Sequence, residues 1–262
     1  MKQQEPLDFA LETTHLKLIS CEAPWDSAVF SMPVAQIDKL EVTNFQAASE
    51  DYVQYQAWIS RKQISIVSCR LAGDQLRESI LLEENGFRFI EMVLHPQLNE
   101  LQKQTIDKDD LQIFPATQAD LEELRTIAES SFAYERYHVD PRLDSKLADE
   151  RYGRWVGNCL QQEKQRLLKI LDGDRLIGFF LIEGNSNESV YWHLTAIAPQ
   201  WQGRGYGKRV WRAMLRHHQI EGFDTVTTTI SVRNIRVLNL YARLGFHFLP
   251  PEMTFHWIRD LD

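Results

Sequence analysis

The sequence predicts an α/β fold, of the α+β kind with a mixed sheet, divided into two domains. Alternating apolar runs indicate strands, and amphipathic stretches with a period near 3.6 residues indicate helices. A polar and charged break over 98–110 separates two regions that both contain strand patterns. The chain has 262 residues, which suits two modest domains with buried cores. We place the boundary near Lys108, which gives domains 1–108 and 109–262.

Beyond Lys108 the predicted elements follow the order β-α-α-β-β-β-α-β-α-β-β. An approximate capping box at Thr117 and Asp120 predicts the start of the first helix. The run Asp172-Gly173-Asp174 predicts a hairpin turn between two strands. The predicted strands are 111–115, 166–171, 176–183, 190–198 and 225–231, and the predicted helices are 117–132, 145–160, 208–219 and the stretch after Asn234.

The charge balance restricts the partners. With 29 basic and 37 acidic residues the net charge is −8, which argues against nucleic acid or an anionic membrane. No apolar run approaches the roughly 20 residues that a membrane span requires, so a cytoplasmic location is expected. Basic residues nevertheless gather in one place, as expected where a polyphosphate docks. They are Arg204, Lys208, Arg209, Arg212 and Arg216.

The cysteines and histidines predict no metal site. Cys21, Cys69 and Cys159 are widely spaced and form no CxxC pair, so reduced thiols are expected. The histidines His217, His218, His247 and His256 show no metal-ligand spacing and are interpreted as surface or packing residues.

The segment Gln202-Gly203-Arg204-Gly205-Tyr206-Gly207-Lys208 lies between a predicted strand and a predicted helix. Backbone N–H groups at a helix N-terminus hold phosphate, and glycines let that backbone come close. The spacing fits neither a nucleotide-hydrolase loop nor a dinucleotide-binding fingerprint. A group that carries a pyrophosphate is therefore expected here, and a glycine-rich surface turn is the alternative.

Two motifs resemble the GCN5-related N-acetyltransferases (GNAT). Gln202, Gly205 and Gly207 match the Q/R-x-x-G-x-G/A signature of that family. The N-x(6)-Y-x(3)-G-F pattern is matched by four further residues, Asn234, Tyr241, Gly245 and Phe246. The resemblance covers about 109–262 and implies the GNAT acyl-CoA N-acyltransferase fold, with acetyl-CoA as acetyl donor and no metal.

The resemblance also implies roles for individual residues. Asn234 would bind the pantetheine or phosphate arm, and Tyr241 would protonate the departing thiolate, a suitable task for a phenol with an ordinary pKa of about 10. Core packing is the alternative for Tyr241. The implied cofactor-binding residues are Thr195, Ala196, Ile197, Gln202, Gly203, Arg204, Gly205, Tyr206, Gly207, Lys208, Asn234 and Tyr241.

The implied reaction is direct attack of a neutral amine on the thioester in a ternary complex, with backbone N–H groups of Thr195–Ile197 polarising the carbonyl. Many relatives place a glutamate on the preceding strand, but this chain has Tyr191, His193 and Thr195 on one alternating face. His193 is the candidate base because imidazole titrates near neutrality. A hydrogen-bonded strand histidine is the alternative, and Glu183 is the second candidate.

The first hundred residues repeat part of this pattern. A strand at 64–71 and a helix-like stretch lead to Gly86-Phe87, which matches Gly245-Phe246. Leu82 replaces the tyrosine, and no glycine-rich loop occurs before residue 110. These features predict a truncated, non-catalytic GNAT-like domain, and coincidence between two ordinary β-α-β units is the alternative.

Two short segments suggest which amine accepts the acetyl group. Trp25–Phe30 and the loop 132–140 resemble the dTDP-fucosamine acetyltransferases, a branch of the family that acetylates a dTDP-linked amino-deoxy sugar for surface polysaccharide. Tyr134 and Tyr137 would stack on a base or sugar face, and Arg136 would pair with the diphosphate. His138 is the fourth candidate of this loop. Phe132 is interpreted as core packing.

The most favoured partner is therefore a small-molecule amine, a nucleotide-linked amino sugar. One alternative is an acetyltransferase for a protein or peptide N-terminus or another small amine. A second alternative is a non-catalytic sensor of acetyl-CoA, although such a binder would not need Tyr241. Exposed strand edges of this fold often pair across dimers, so a homodimer is the expected assembly.

Overall fold

The computed structural model of the protein describes residues 9–185 and 188–259, which form two units. The first unit contains 9–93 and 250–259, and the second contains 94–249. The first-unit elements, with the strand that leaves it, are β1 (Phe9–Glu12), β2 (Leu16–Glu22), α1 (Pro24–Phe30), β3 (Val34–Val42), α2 (Phe45–Arg61), β4 (Ile66–Ala72), α3 (Leu76–Glu84) and β5 (Arg88–Leu98).

The rest of the chain supplies the second unit and the final strand. These elements are β6 (Gln112–Pro115), α4 (Leu121–Ser131), α5 (Arg136–Val139), α6 (Ser145–Asn158), β7 (Gln165–Asp172), β8 (Arg175–Gly184), β9 (Ser189–Ile197), α7 (Tyr206–Ile220), β10 (Thr225–Thr228), β11 (Ile230–Ser231), α8 (Ile235–Arg243) and β12 (His247–Ile258).

The first unit is a mixed sheet in the order β1-β2-β3-β4-β12-β5. The strands β3 and β4 are parallel, whereas β12 runs antiparallel to β4. Three aromatic side chains of α2, Tyr52, Tyr55 and Trp58, are buried against this sheet, and the last two are stacked with ring centroids 5.5 Å apart. Large aromatic surfaces supply much of the apolar burial of this core.

The second unit has its sheet in the order β5-β10-β9-β8-β7-β6, with helices on both faces. Successive side chains of a strand point to opposite faces. Phe179 of β8 packs in a cluster with residues of α4 and α6, and the next residue, Phe180, packs in a cluster with residues of α7 and with Tyr241 of α8. The mixed α/β fold with a mixed sheet is thus confirmed.

The two units share an order of elements. The run β3-α2-β4-α3-β5 corresponds to β9-α7-β10-α8-β12, apart from the additional two-residue strand β11 between β10 and α8, and each run contains one parallel pair, β3 with β4 and β9 with β10. Gly86 and Gly245 follow α3 and α8 with φ of 83° and 86°, which only glycine adopts readily. That the first domain is GNAT-like, truncated and non-catalytic stays a prediction.

The border between the units differs from the predicted boundary near Lys108. It falls between Val93 and Leu94 within β5, and the chain from Pro250 returns to the first unit. The polar segment 98–110 packs on α7: Leu101 is fully buried, and Gln219 donates to the carbonyl oxygen of Leu101 at 2.8 Å. The polar composition of the segment suggested a linker, but Asp109 pairs with Arg209 of α7 and the carbonyl oxygen of Ile106 accepts from Arg216 of the same helix.

A β-bulge interrupts the pairing of β8 with β9. Leu181 lies opposite Leu194 and Ile182 lies opposite Trp192, so His193 has no partner residue. The extra residue reverses the alternation of faces along β9. Trp192 packs in the cluster with residues of α7, whereas Leu194 packs with residues of α4 and α6.

The strands β9 and β10 separate after four residues. Their parallel pairing covers Ser189–Trp192 and Thr225–Thr228, and β9 then continues to Ile197. Among the described residues, the last part of β9 pairs only with β8. The other edge of this part presents backbone groups without a strand partner.

Gly178 allows the close pairing of β8 with this part of β9. An added Cβ would lie 2.0 Å from the carbonyl oxygen of Ala196. We expect Gly178→Ala to destabilise the protein by about 1–3 kcal/mol, because backbone must shift. Gly157→Ala is the control, since nothing lies within 4 Å of its added Cβ, and it should stabilise α6 by about 0.5–1 kcal/mol. Thermal unfolding of the two variants checks this, and equal midpoints would contradict it.

Candidate active site

The loop between β9 and α7 has the conformation that the glycine motif predicted. Gly203 and Gly205 have φ of 75° and 86°, and Gly205 is the N-cap of α7. No atom of the described residues lies within 4 Å of a Cβ added to either glycine, so these positions need glycine for their backbone angles rather than for lack of space. The first N–H groups of a helix have no partner within the helix and lie at the positive end of its dipole, so this end of α7 is suited to an anion.

The five basic residues of this region divide into two groups. Arg209 binds the carboxylate of Asp109 with two nitrogens at 3.0 and 2.8 Å, and Arg212 and Arg216 also contact the segment 106–109. Arg204 and Lys208 have exposed side chains and no carboxylate partner among the described residues. The positive charge available to a ligand therefore comes from these two residues.

Two predicted loop residues have contacts within the protein. Tyr206 is buried and donates from its hydroxyl to the carboxylate of Asp172 at 2.6 Å, and this hydrogen bond raises the pKa of Tyr206. The backbone N–H of Tyr206, at the first position of α7, is the group of this residue that would face a bound anion. Gln202 donates from its amide to the carbonyl oxygen of Ile197 at 2.9 Å and thus ties the loop to the end of β9.

Asn234 is the N-cap of α8. Its side-chain oxygen accepts from the backbone N–H of Val237 at 3.3 Å. This contact satisfies one N–H of the first helical turn. The cap fixes the start of the helix that carries Tyr241, seven residues further along, and the amide nitrogen of Asn234 is the atom left for the predicted cofactor contact.

Tyr241 lies on the inner face of α8 and is 2 % exposed. Its ring meets those of Phe246 and Trp211 at centroid distances of 4.9 and 6.4 Å. Burial raises the pKa of Tyr241, and hydrogen bonding from Trp211, Thr195 and Thr228 lowers it by a smaller amount. The phenol therefore keeps its proton at neutral pH. Thr195, from the unpaired part of β9, is thereby placed beside the candidate acid.

His193 is the bulged residue of β9 and contacts Glu183. Its Nε2 lies 3.1 Å from a carboxylate oxygen of Glu183, the second candidate base. Burial lowers the pKa of His193, and the hydrogen bond and charge of Glu183 raise it by a smaller amount. The imidazole is therefore neutral at neutral pH and can accept a proton. The sequence had suggested that Tyr191, His193 and Thr195 share one alternating face. Because of the bulge, they do not.

The loop that was predicted to hold the acceptor is partly internal. Tyr134 is 46 % exposed, whereas Tyr137 is 1 % exposed with the guanidinium carbons of Arg136 and Arg151 at 4.7 and 5.3 Å from its ring centre. This differs from the expectation that Tyr137 stacks on a ligand. The short helix α5, which the sequence did not predict, turns Tyr137 inward.

His138 is also directed into the protein. Its Nε2 lies 3.0 Å from a carboxylate oxygen of Asp149 on α6, its ring stacks on that of Tyr152 at 5.7 Å, and its side chain is only 6 % exposed. Phe132 stacks on the same tyrosine at 4.6 Å, which confirms its interpretation as a packing residue. Tyr134 and Arg136 therefore remain the loop's candidates for substrate contact.

Sequence reasoning missed several neighbours of the site. Trp201 lies beside the glycine loop, with the guanidinium carbons of Arg175 and Arg204 at 5.4 and 5.3 Å from its ring centre. The hydroxyl of Thr229 contacts that of Tyr191 on β9, and His95 in turn contacts Thr229. A strand was predicted over 225–231 but none over 88–98, and the pairing of β5 with β10 is visible in no local pattern, so nothing in the sequence placed His95 near this site.

The described residues contain no group of three or more histidine, cysteine or acidic side chains arranged to hold a metal ion. No helix within them is both long and apolar enough to cross a membrane. What the site does combine is a glycine loop at a helix N-terminus, a protonated buried phenol and a neutral imidazole. These groups can hold a phosphate-bearing molecule, donate one proton and accept another.

Comparison with known proteins connects this geometry to a family. Residues 121–246 match the acetyltransferase (GNAT) family. The spore coat polysaccharide biosynthesis protein SpsD of Bacillus subtilis (strain 168) is 25% identical over 132 residues, which cover 50% of this chain and 45% of SpsD. The match thus spans about half the length of that relative.

Two solved structures share the fold. A functionally unknown conserved protein from Staphylococcus epidermidis ATCC 12228 has a TM-score of 0.68 at 11% identity, covering 97% of this chain and 95% of that one. A tandem GNAT protein from the clavulanic acid biosynthesis pathway has a TM-score of 0.60 at 11% identity, covering 97% and 83% of the two chains. At such identities the likeness concerns the fold. The chain therefore carries, over residues 121–246, a domain of the acetyltransferase (GNAT) family.

Proposed function

We propose that this protein is an acetyl-CoA-dependent N-acetyltransferase that acetylates a primary amine by direct attack in a ternary complex. The observation that carries the proposal is the separation of β9 from β10 between the glycine loop and Tyr241. The unpaired edge of β9 leads from the anion-binding loop to the side chain that can donate a proton. This is the arrangement that a long phosphate-bearing thioester requires.

The residues present fit acetyl-CoA at its phosphate end. Gly203 and Gly205 face open space with their N–H groups at the start of α7, and Arg204 and Lys208 supply positive charge. The amide of Asn234 would hold the pantetheine or phosphate arm. When bound, acetyl-CoA supplies an acetyl group activated as a thioester.

The remaining steps belong to the chain. Backbone N–H groups on the unpaired edge of Thr195–Ile197 would stabilise the charge that develops on the carbonyl oxygen. His193, neutral and held by Glu183, would take a proton from the amine. Tyr241, protonated because it is buried, would give its proton to the departing sulfur.

For the acceptor we propose the amino group of a nucleotide-linked amino-deoxy sugar used in surface polysaccharide synthesis. The similarity to SpsD, a spore coat polysaccharide biosynthesis protein, supports this class. The exposed ring of Tyr134 offers an aromatic face for the base of the nucleotide. Arg136, two residues further along, offers a cation for the diphosphate. A homodimer and a cytoplasmic location complete the proposal.

Acceptor specificity is measured by thiol release from acetyl-CoA against dTDP-, UDP- and GDP-linked amino sugars, N-terminal peptides and polyamines. We expect turnover with one class of nucleotide sugar, at a kcat/KM at least about tenfold above that of any peptide or polyamine. Turnover with peptides or polyamines alone would overturn the acceptor class. Binding of acetyl-CoA without turnover on any amine would overturn the enzymatic proposal.

Tyr241→Phe should lower kcat by about 10²-fold or more, because it removes the proton donor for the sulfur. The dissociation constant for acetyl-CoA, measured by calorimetry, should stay within about twofold of the unmodified protein. Tyr55→Phe in the first unit is the control for the loss of a buried hydroxyl and should keep full turnover. Unchanged turnover in Tyr241→Phe would remove this residue from the mechanism.

Arg204→Gln and Lys208→Gln should each raise the KM for acetyl-CoA by about tenfold, because each removes a charge-assisted contact worth about 1.4 kcal/mol. Arg212→Gln is the matched control, since Arg212 lies 3.5 Å from Asp107 and is engaged there. Initial rates at varied acetyl-CoA check this. A larger effect from Arg212→Gln than from the other two would contradict the assigned phosphate site.

Glu183→Gln should move the acidic limb of kcat/KM against pH to lower pH. Neutral His193 is the active base, so the rate rises as pH increases through its pKa. Glu183 raises that pKa against the lowering effect of burial, and its loss lowers the pKa further. Glu163→Gln, an exposed carboxylate, is the control. If the acidic limb of kcat/KM stays in place or moves to higher pH, His193 is not the group whose titration sets that limb.

A further inference from the structure

Three polar side chains form a continuous hydrogen-bonded line beside the candidate site. The hydroxyl oxygens of Tyr191 and Thr229 lie 2.7 Å apart, and the hydroxyl of Thr229 lies 3.2 Å from Nδ1 of His95. Tyr191 belongs to β9, Thr229 lies between β10 and β11, and His95 belongs to β5. All three residues are part of the second unit. We call Tyr191, Thr229 and His95 the hydroxyl line.

Strand pairing sets the position of the hydroxyl line. Tyr191 lies opposite Thr227, one pair before β9 and β10 separate. On the other side of β10, Val226 and Thr227 lie opposite Leu98 and Gln97 in antiparallel register. Extending that register by two residues brings His95 opposite Thr229. The line therefore crosses from β9 to β5 at the point where the sheet opens.

The hydroxyl line meets the candidate base at one end. The rings of Tyr191 and His193 lie 4.8 Å apart, edge to face, and His193 contacts Glu183. Tyr191 thus lies on the side of the site where the amine must reach His193. His95 lies at the other end of the line, two hydrogen bonds away from Tyr191.

The proposed reaction leaves one proton without an assigned acceptor. A protonated primary amine loses two protons when it becomes an amide: one before the nitrogen can attack, and one from the nitrogen after attack. His193 accounts for the removal of one of them. Tyr241 gives a proton to the sulfur and takes none from the nitrogen.

Resting on the proposed function, we propose that the hydroxyl line carries the second proton from the substrate amine to His95. An N–H proton passes to the hydroxyl oxygen of Tyr191, whose own proton passes to the oxygen of Thr229, and the proton of Thr229 passes to Nδ1 of His95. One N–H bond breaks, one N–H bond forms on His95, and both hydroxyls end with one proton each. Tyr191 is the catalytic residue of the line, and Thr229 and His95 act through it.

The hydrogen bonds along the hydroxyl line allow a proton to pass in this direction. Both hydroxyls can donate toward His95, because either oxygen of the Tyr191–Thr229 pair can be the donor and a histidine nitrogen without a proton accepts. Donation in this direction lets the oxygen of Tyr191 accept from the amine. The segment 1–108 was predicted to be non-catalytic, whereas His95, which lies within it, would take part in proton transfer.

The test uses two substitutions of Thr229. Thr229→Val keeps the shape but removes the hydroxyl, and Thr229→Ser keeps the hydroxyl. With the best amine of the acceptor panel, we expect kcat to fall by about tenfold in Thr229→Val with an unchanged KM for acetyl-CoA, while Thr229→Ser stays within about twofold of the unmodified protein. A purely structural hydroxyl would also be replaced by serine, so the variant that separates the two roles is one that keeps the hydrogen bond of Thr229 and removes only the proton acceptor.

His95→Gln provides a second and independent variant. Glutamine can accept the hydrogen bond of Thr229 but cannot take its proton, so kcat should fall as in Thr229→Val. The double variant should be no slower than either single variant, because both interrupt one path. Full activity in His95→Gln, or equal losses in Thr229→Val and Thr229→Ser, would overturn the proposed transfer alone. Absence of turnover by the unmodified protein on every amine would overturn the proposed function and the transfer together.

Discussion

The separation of β9 from β10 after Trp192 is the constraint on which the second unit depends. Up to that residue the two strands satisfy one another's backbone groups, and beyond it one edge of β9 is open. The bulge at His193 makes the change possible, because it turns Trp192 toward α7 and Leu194 toward α4 and α6. One extra residue therefore positions a histidine, opens a strand edge and directs the chain toward the glycine loop.

The residues proposed to bind the cofactor, donate a proton and accept a proton lie at different places around that opening. The glycine loop and α7 lie at the C-terminal end of β9, where helix dipole and exposed cations favour an anion. Tyr241 is buried beside Thr195 and keeps its proton because burial raises its pKa. His193 stays neutral because burial lowers its pKa against the effect of Glu183. Burial thus shifts the two pKa values in opposite directions and favours the neutral form of both side chains, the form in which Tyr241 holds a proton and His193 can accept one.

Local patterns predicted the features that depend on local physics. Gly203, Gly205 and Gly245 were recognisable because few residues other than glycine adopt their backbone angles, and Asn234 because helix N-caps favour its side chain. Tyr137 and His138 were placed on a ligand because nothing nearby in the sequence shows that α6 supplies Arg151 and Asp149 to them. His95 was missed because only the pairing of β5 with β10 brings it to Thr229. Contacts between distant segments are what single-sequence reasoning lacks.

The proposed cofactor site is tested most directly by amide hydrogen exchange with and without acetyl-CoA. We expect added protection at two places, the open edge of β9 at 194–197 and the glycine loop at 203–208, because bound acetyl-CoA would contact backbone N–H groups there. Strand β8, which is paired on both sides, should change little. Protection confined to other segments, or none at saturating acetyl-CoA, would contradict the claim that the separation of β9 from β10 forms the cofactor site.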